Sequence, residues 1–195
     1  MPRIQIVPVG KVDPALLDYL SLALALPEGA GGPCTVAGKG IDPREAFDHR
    51  RQQFHSTPIL ARLAALPAPA GAKTLGVADG DLFIPILTFV FGEAQLGGAA
   101  ALISAARLRQ EFYGLPANQV LFYERCAKEA LHELGHTMGL VHCPLYECVM
   151  HYSNSIENVD LKGSSLCPAC LAQTKNCKII AFRCSAGKDD FIPLG

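Results

Sequence analysis

The sequence predicts an α/β fold. Three observations carry that expectation. Short apolar runs with strand-like patterning alternate with helical patterns along the chain. Glycine and proline mark most of the boundaries between them. Half of the 195 residues are apolar and only 18% are charged, enough for a sizeable core. At this length a single domain is expected, burying roughly 70% of its unfolded surface.

The elements follow in order. Residues Arg3 to Val9 alternate apolar and polar and read as a first strand. Asp13 as N-cap and Pro14 in the first helical position open a helix to about Leu26. Cys34 to Ala37 reads as a short second strand. Pro43 to Leu66 carries helical patterning, one or two helices interrupted at Pro58. Ala64 to Ala72, with Pro67, Pro69 and Gly71, is Ala/Pro-rich and reads as a loop. Lys73 to Ala78, Leu87 to Phe91 and Ala99 to Arg107 read as further strands, the last bounded by Gly97-Gly98. A long helix is expected from about Ala117 to Met138. Its apolar stripe is Ala127, Leu131, Leu134 and Met138, and Arg125, Glu129, His132 and His136 lie opposite. Arg125 and Glu129 read as an ion pair one turn apart, or as partners of the neighbouring histidines. A last helix is expected from about Pro168 to Phe182. Strands alternating with helices in this way imply a mixed, mostly parallel sheet.

The long helix ends in His132-Glu133-Leu134-Gly135-His136-Thr137-Met138-Gly139-Leu140-Val141-His142, the pattern H-E-x-x-H-x-x-G-x-x-H. Residues four apart share a helical face, so His132 and His136 can grip one tetrahedral Zn²⁺. Glu133 can then reach a water in the metal's open position. Gly139 takes positive φ at no steric cost, which lets the chain turn and bring His142 back as a third ligand. The alternative is an amphipathic helix with two surface histidines and a glycine cap. Three of the chain's six histidines fall within this motif, which argues against it.

Cys143 follows directly, then Cys148, then the pair Cys167 and Cys170. Four thiolates close a tetrahedron around zinc with no position for water, so these four read as a structural site. Two disulfides or four free thiols are the alternatives. The start, Met1-Pro2-Arg3-Ile4-Gln5, lacks the basic-then-apolar layout of a signal peptide, which points to the cytoplasm, where disulfides are rare. Cys34, Cys126, Cys177 and Cys184 have no ligand-like spacing and read as buried thiols.

The extended zinc motif followed by Met150 resembles the metzincin clan of metallopeptidases. The cysteines around it, together with Phe89-Val90-Phe91-Gly92-Glu93-Ala94 and Glu111-Phe112-Tyr113-Gly114-Leu115-Pro116, resemble one branch, the archaemetzincins. The resemblance covers residues 73 to 172 well. It implies a metzincin-like single domain spanning 1–195, with a mixed twisted sheet and helices over a zinc cleft. It divides the chain into an N-terminal subdomain, 1–138, and a small zinc-stapled C-terminal subdomain, 139–195. It implies two Zn²⁺ per chain, one catalytic and one structural. By resemblance Met150 lies in a tight turn beneath the zinc histidines as an apolar floor. Tyr152, two residues on, stands where some metzincins place a tyrosine that stabilises the transition state, and equally where a tyrosine would line the cleft wall. The substrate is expected to lie extended along an edge strand within Phe89 to Leu96.

The remaining composition excludes other classes. Net charge is −1 and no basic stripe is present, so nucleic acid is not an expected partner. The apolar runs Leu20 to Leu26 and Leu96 to Ala106 fall short of the ~20 residues that span a bilayer. The reading is a cytoplasmic zinc peptidase with Glu133 as general base and a peptide or protein as substrate. Two alternatives stay open: a non-catalytic, zinc-stabilised peptide-binding module of the same fold, and a zinc hydrolase acting on a non-peptide amide.

Overall fold

The computed structural model describes residues 2–25 and 33–180, with side chains described as far as Thr174. Five strands form the main sheet: β1 (Ile4–Val9), β2 (Cys34–Val36), β5 (Lys73–Ala78), β7 (Gly92–Ala94) and β8 (Ala100–Ser104), in the order β2-β1-β5-β8-β7. Every pairing is parallel except β7 with β8. The expected mixed, mostly parallel sheet is therefore present, with one antiparallel strand on its edge. A smaller sheet joins β3 (Phe47–Asp48), β4 (Gln53–His55) and β6 (Leu82–Phe83).

The sheet is covered on both faces, so its strands are apolar on both. Ile4, Ile6, Leu75, Val77, Ala101 and Ile103 pack into a core with α1 (Pro14–Ala25) and α3 (Gln119–Thr137). The alternate residues, among them Val7, Val9, Ala100 and Leu102, pack against α2 (Ser56–Ala64). Gly76 lets α2 approach closely: a Cβ there would stand 2.4 Å from Leu63 Cδ1.

α1 begins as expected. Asp13 Oδ1 accepts the Ala15 N–H, and Pro14 occupies the first turn. Its expected end at Leu26 lies outside the described residues. The stretch from Pro43 differs from expectation. It forms a short 3₁₀ turn (Arg44–Ala46), then the β3–β4 hairpin, and only then α2. Pro58 does not break a helix, because it sits in the first turn of α2, where no backbone donor is required. Leu87 to Phe91 is not a strand beyond a single bridge from Val90 to Leu82, and the strand starts at Gly92. The expected strand from Ala99 to Arg107 ends at Ser104, and Ala106–Leu108 is 3₁₀.

α3 is capped by Asn118, whose side chain accepts the Leu121 N–H at 3.1 Å. Its last two turns are buried on every side. One side meets the sheet; the other is closed by α4 (Ile156–Leu161). Arg125 and Glu129 do not pair with each other, since each has a partner beyond the helix. Arg125 makes a two-pronged ion pair with Asp160, both bonds 2.7 Å, and Glu129 pairs with Lys162. The final helix α5 (Pro168–Ile180) starts where expected, and residues 181 and 182 of the expected span lie outside the described residues. So does Cys184, while the side chain of Cys177 is likewise undescribed. Among the described residues no helix is long and apolar enough to cross a membrane.

Candidate metal centre and active site

His132 and His136 lie one turn apart near the end of α3, both buried, with Nε2 atoms 3.1 Å apart. The helix ends in a complete Schellman motif. Gly139 takes φ of 86°, its N–H donates to His136 O at 2.9 Å, and the Leu140 N–H donates to Gly135 O at 3.1 Å. The reversed chain brings His142 back: its ring centroid is 5.3 Å from that of His132 and 5.1 Å from that of His136. One ligand nitrogen from each of the three lies within 4.8 Å of the others. Nitrogens bound tetrahedrally at 2.0–2.1 Å stand roughly 3.3 Å apart, so the cluster fits one zinc. His142 Nε2 is buried with no hydrogen-bond partner among the described residues, as a lone pair kept for a metal would be.

The outer nitrogens of the two helical histidines face carbonyls. His132 Nδ1 lies 2.8 Å from Val149 O, and His136 Nδ1 lies 2.7 Å from Leu140 O. A carbonyl only accepts, so each ring carries its proton on Nδ1 and turns the Nε2 lone pair inward. Burial presses all three imidazoles toward the neutral form a metal requires. It takes His136 down to about 4 and His132 well below its ordinary value, and the Lys162 charge adds to the effect.

Glu133 is buried, and burial, with the Glu129 charge second, pushes its carboxyl well above the usual carboxylate range. Its Oε2 has no hydrogen-bond partner among the described residues. The strand β7 passes directly over it. A Cβ on Gly92 would stand 2.6 Å from Glu133 Oε1, so only glycine permits this approach. Glu93, the next residue, points to the opposite face and accepts from the hydroxyls of Ser56 and Thr57 at the start of α2.

β7 is an edge strand. Phe91 O and Gln95 N bond to β8, and Glu93 stands opposite Leu102. Antiparallel alternation then turns the N–H and C=O groups of Gly92 and Ala94 outward, toward the open edge. The segment before β7 faces the one after Met150 across a cavity of about 120 Å³. Leu87, Phe89 and Phe91 line one side, and Tyr152, Ser153 and Asn154 the other. The Tyr152 ring is 5.1 Å from the His142 ring, edge to face, and partly exposed.

Met150 is fully buried beneath α3, and a Cβ on Gly135 would stand 2.3 Å from its Sδ. It occupies a tight turn closed by the His151 N–H on Cys148 O at 2.9 Å. That turn serves two clusters. Val149 O holds His132, and Met150 O accepts the Cys143 N–H at 2.9 Å. The sulfurs of Cys143, Cys148, Cys167 and Cys170 lie within 4.8 Å of one another, and none is in a disulfide. Cys143 and Cys167 are 3.9 Å apart, near the roughly 3.8 Å expected of thiolates on one zinc. The Cys170 backbone N–H, with other bonds from the cluster, lowers the Cys167 thiol to about 7, which favours the thiolate a metal binds.

The structure thus brings together all seven residues expected as ligands, in two groups. It places Glu133, Met150 and Tyr152 beside the histidine group. Sequence reasoning missed Gly92, Glu93 and Lys162 as neighbours of the site. Gly92 carried a usable signal, a glycine within the edge segment Phe89 to Leu96, whereas nothing adjacent to Lys162 marks it.

A family model described as peptidase family M54 matches residues 65–176. An archaemetzincin of Methanocaldococcus jannaschii is 44% identical over 174 residues, covering 89% of this chain and 93% of that one. A crystal structure of an archaemetzincin from Archaeoglobus fulgidus, complexed with malonate, aligns with a TM-score of 0.75 at 36% identity, covering 88% of this chain and 99% of the other. A zinc-dependent peptidase from Methanocorpusculum labreanum aligns with the same score at 29% identity, again covering 88% and 99%.

Proposed function

The chain belongs to peptidase family M54, the archaemetzincins, a family of zinc metallopeptidases, and from that premise we propose that it hydrolyses extended peptides at its histidine cluster. His132, His136 and His142 would hold a catalytic zinc, and Cys143, Cys148, Cys167 and Cys170 a second, structural one. The observation that carries the reading is one piece of geometry. Three inward imidazole nitrogens and a buried carboxylate, one of whose oxygens has no partner among the described residues, meet under a strand whose next edge is open.

When bound, zinc supplies Lewis acidity, which acidifies a water and polarises the scissile carbonyl. The chain's own residues supply the rest. Gly92 and Ala94 offer outward backbone groups, so a peptide can add to the sheet as a sixth strand and be held straight. Glu133 takes the proton of the attacking water and returns it to the leaving amine. Its site, buried and beside Glu129, strengthens its hold on a proton, which suits a group that must carry one between two steps. Tyr152, whose ring packs edge to face on His142, would donate a hydrogen bond to the developing oxyanion. The cavity between Phe89 and Tyr152 would receive a substrate side chain.

The test is a diverse peptide library incubated with zinc-loaded protein and with Glu133→Gln, the products read by mass spectrometry. Cleavage by the wild type and a loss of at least about 10²-fold in the variant, with zinc content unchanged, is the expected result. Equal cleavage by both would overturn the role of Glu133. No cleavage by a protein carrying both zincs would turn the reading to a peptide-binding module.

A further inference from the structure

Lys162 is among the largest fully buried side chains of the protein, although it is a cation. Its Nζ lies 2.7 Å from Glu129 Oε1 and 3.4 Å from His132 Nδ1. Glu129 Oε1 has no hydrogen-bond partner among the described residues, so this ion pair is what offsets its burial. Glu129 and His132 are three residues apart on α3, and Lys162 reaches both from the end of α4.

His132 Nδ1 therefore stands between two groups with opposite demands. The Val149 carbonyl, 2.8 Å away, can only accept, and it requires a proton on Nδ1. The Lys162 ammonium can only donate, and a bond from it would require the lone pair on Nδ1. In that second tautomer the proton moves to Nε2, which faces His136 Nε2 at 3.1 Å, and the ring loses its inward lone pair. The shorter contact of Lys162 is to Glu129.

We propose that Glu129 is a positioning residue: by holding the Lys162 ammonium it leaves His132 Nδ1 to the Val149 carbonyl and so sets the tautomer through which His132 ligates metal. The inference rests on the metal-ligand reading above. Glu129 acts through its two neighbours and touches neither substrate nor metal.

The test uses full-length protein carrying its cysteine zinc and two readouts: zinc affinity of the histidine site by chelator competition, and the ring ¹⁵N–¹H correlations of His132 with that site emptied by the chelator. Glu129→Gln keeps the shape but gives up the charge. Its histidine site is expected to bind zinc about 10–100-fold more weakly, with the Nδ1–H correlation lost and the cysteine zinc retained. Adding Lys162→Met removes the competing donor, and affinity should return to within about threefold of wild type with the Nδ1–H signal restored. A purely structural pair would also recover when both charges are gone, because an unpaired buried cation is costly, but it would keep the Nδ1–H correlation in Glu129→Gln. Wild-type affinity in Glu129→Gln, or a double variant no better than the single, would overturn the proposal and leave the peptidase reading untouched. If Glu129→Gln does not fold, the double variant decides alone. Near-wild-type affinity with Nδ1–H present supports the proposal, and a loss of about tenfold or more overturns it. A wild type binding zinc only at its cysteines would overturn the metal reading and this inference together.

Discussion

Gly92 tests the catalytic geometry with a single methyl group. A Cβ there would stand 2.6 Å from both Cγ and Oε1 of Glu133, well inside contact distance. Gly92→Ala should fold, because its backbone is not in the left-handed region and the new methyl meets a side chain rather than main chain. Displacing the carboxylate by about an ångström should lower kcat by roughly 10²-fold with zinc content unchanged. Steady-state kinetics with metal analysis checks this, and an unaltered kcat would show that Glu133 does not work from this position. At this scale much of the site was legible in the sequence. Two helical ligands must be four residues apart, and a third needs a chain reversal, which Gly139 provides with φ of 86°. Lys162 was not legible. Its partners Glu129 and His132 lie far back along the chain, and only folding brings them within reach.

α3 is the element on which the site depends, and its C-terminal end is held from outside. Lys73 on β5 donates to Thr137 O at 2.7 Å and to Gly98 O at 2.6 Å, placing a cation where the helix exposes unpaired carbonyls. Lys73→Met should cost about 1–2 kcal/mol, a fall in Tm of roughly 3–6 °C by calorimetry. No change in Tm would mean that the Schellman turn alone secures the end. The stop of this helix could be read from Gly139 because capping is local chemistry, while its start, expected near Ala117, is set by the side-chain cap of Asn118. The β3–β4 hairpin could not. Its strands of two and three residues are too short to show alternation, and β4 is fixed by pairing with β6, Phe54 opposite Leu82. Helical periodicity in the same stretch was real but belonged only to α2.

In the molecule as a whole, one tight turn joins the two clusters, since Val149 O holds His132 while Met150 O holds Cys143. Cys167→Ser should lose the cysteine zinc, lower Tm by more than about 10 °C and weaken zinc at the histidines. Elemental analysis beside calorimetry measures both, and full zinc content with unchanged Tm would count against a structural metal. The α/β class was legible because strand and helix patterns alternate along the chain. The strand order β2-β1-β5-β8-β7, which places the antiparallel strand on the edge, was not, because order is a property of pairing. That edge has a consequence for diet. Only two residues, Gly92 and Ala94, turn their backbone groups outward. A chain that pairs with them must arrive with its own backbone groups unspent, which helices and sheets of native proteins do not offer. Proline at a pairing position lacks the N–H and would be refused. If substrates bind this way, the filter is less a matter of which side chains a protein carries than of whether it is folded, and the meal would be a frayed terminus, a loose loop or a chain already unravelled.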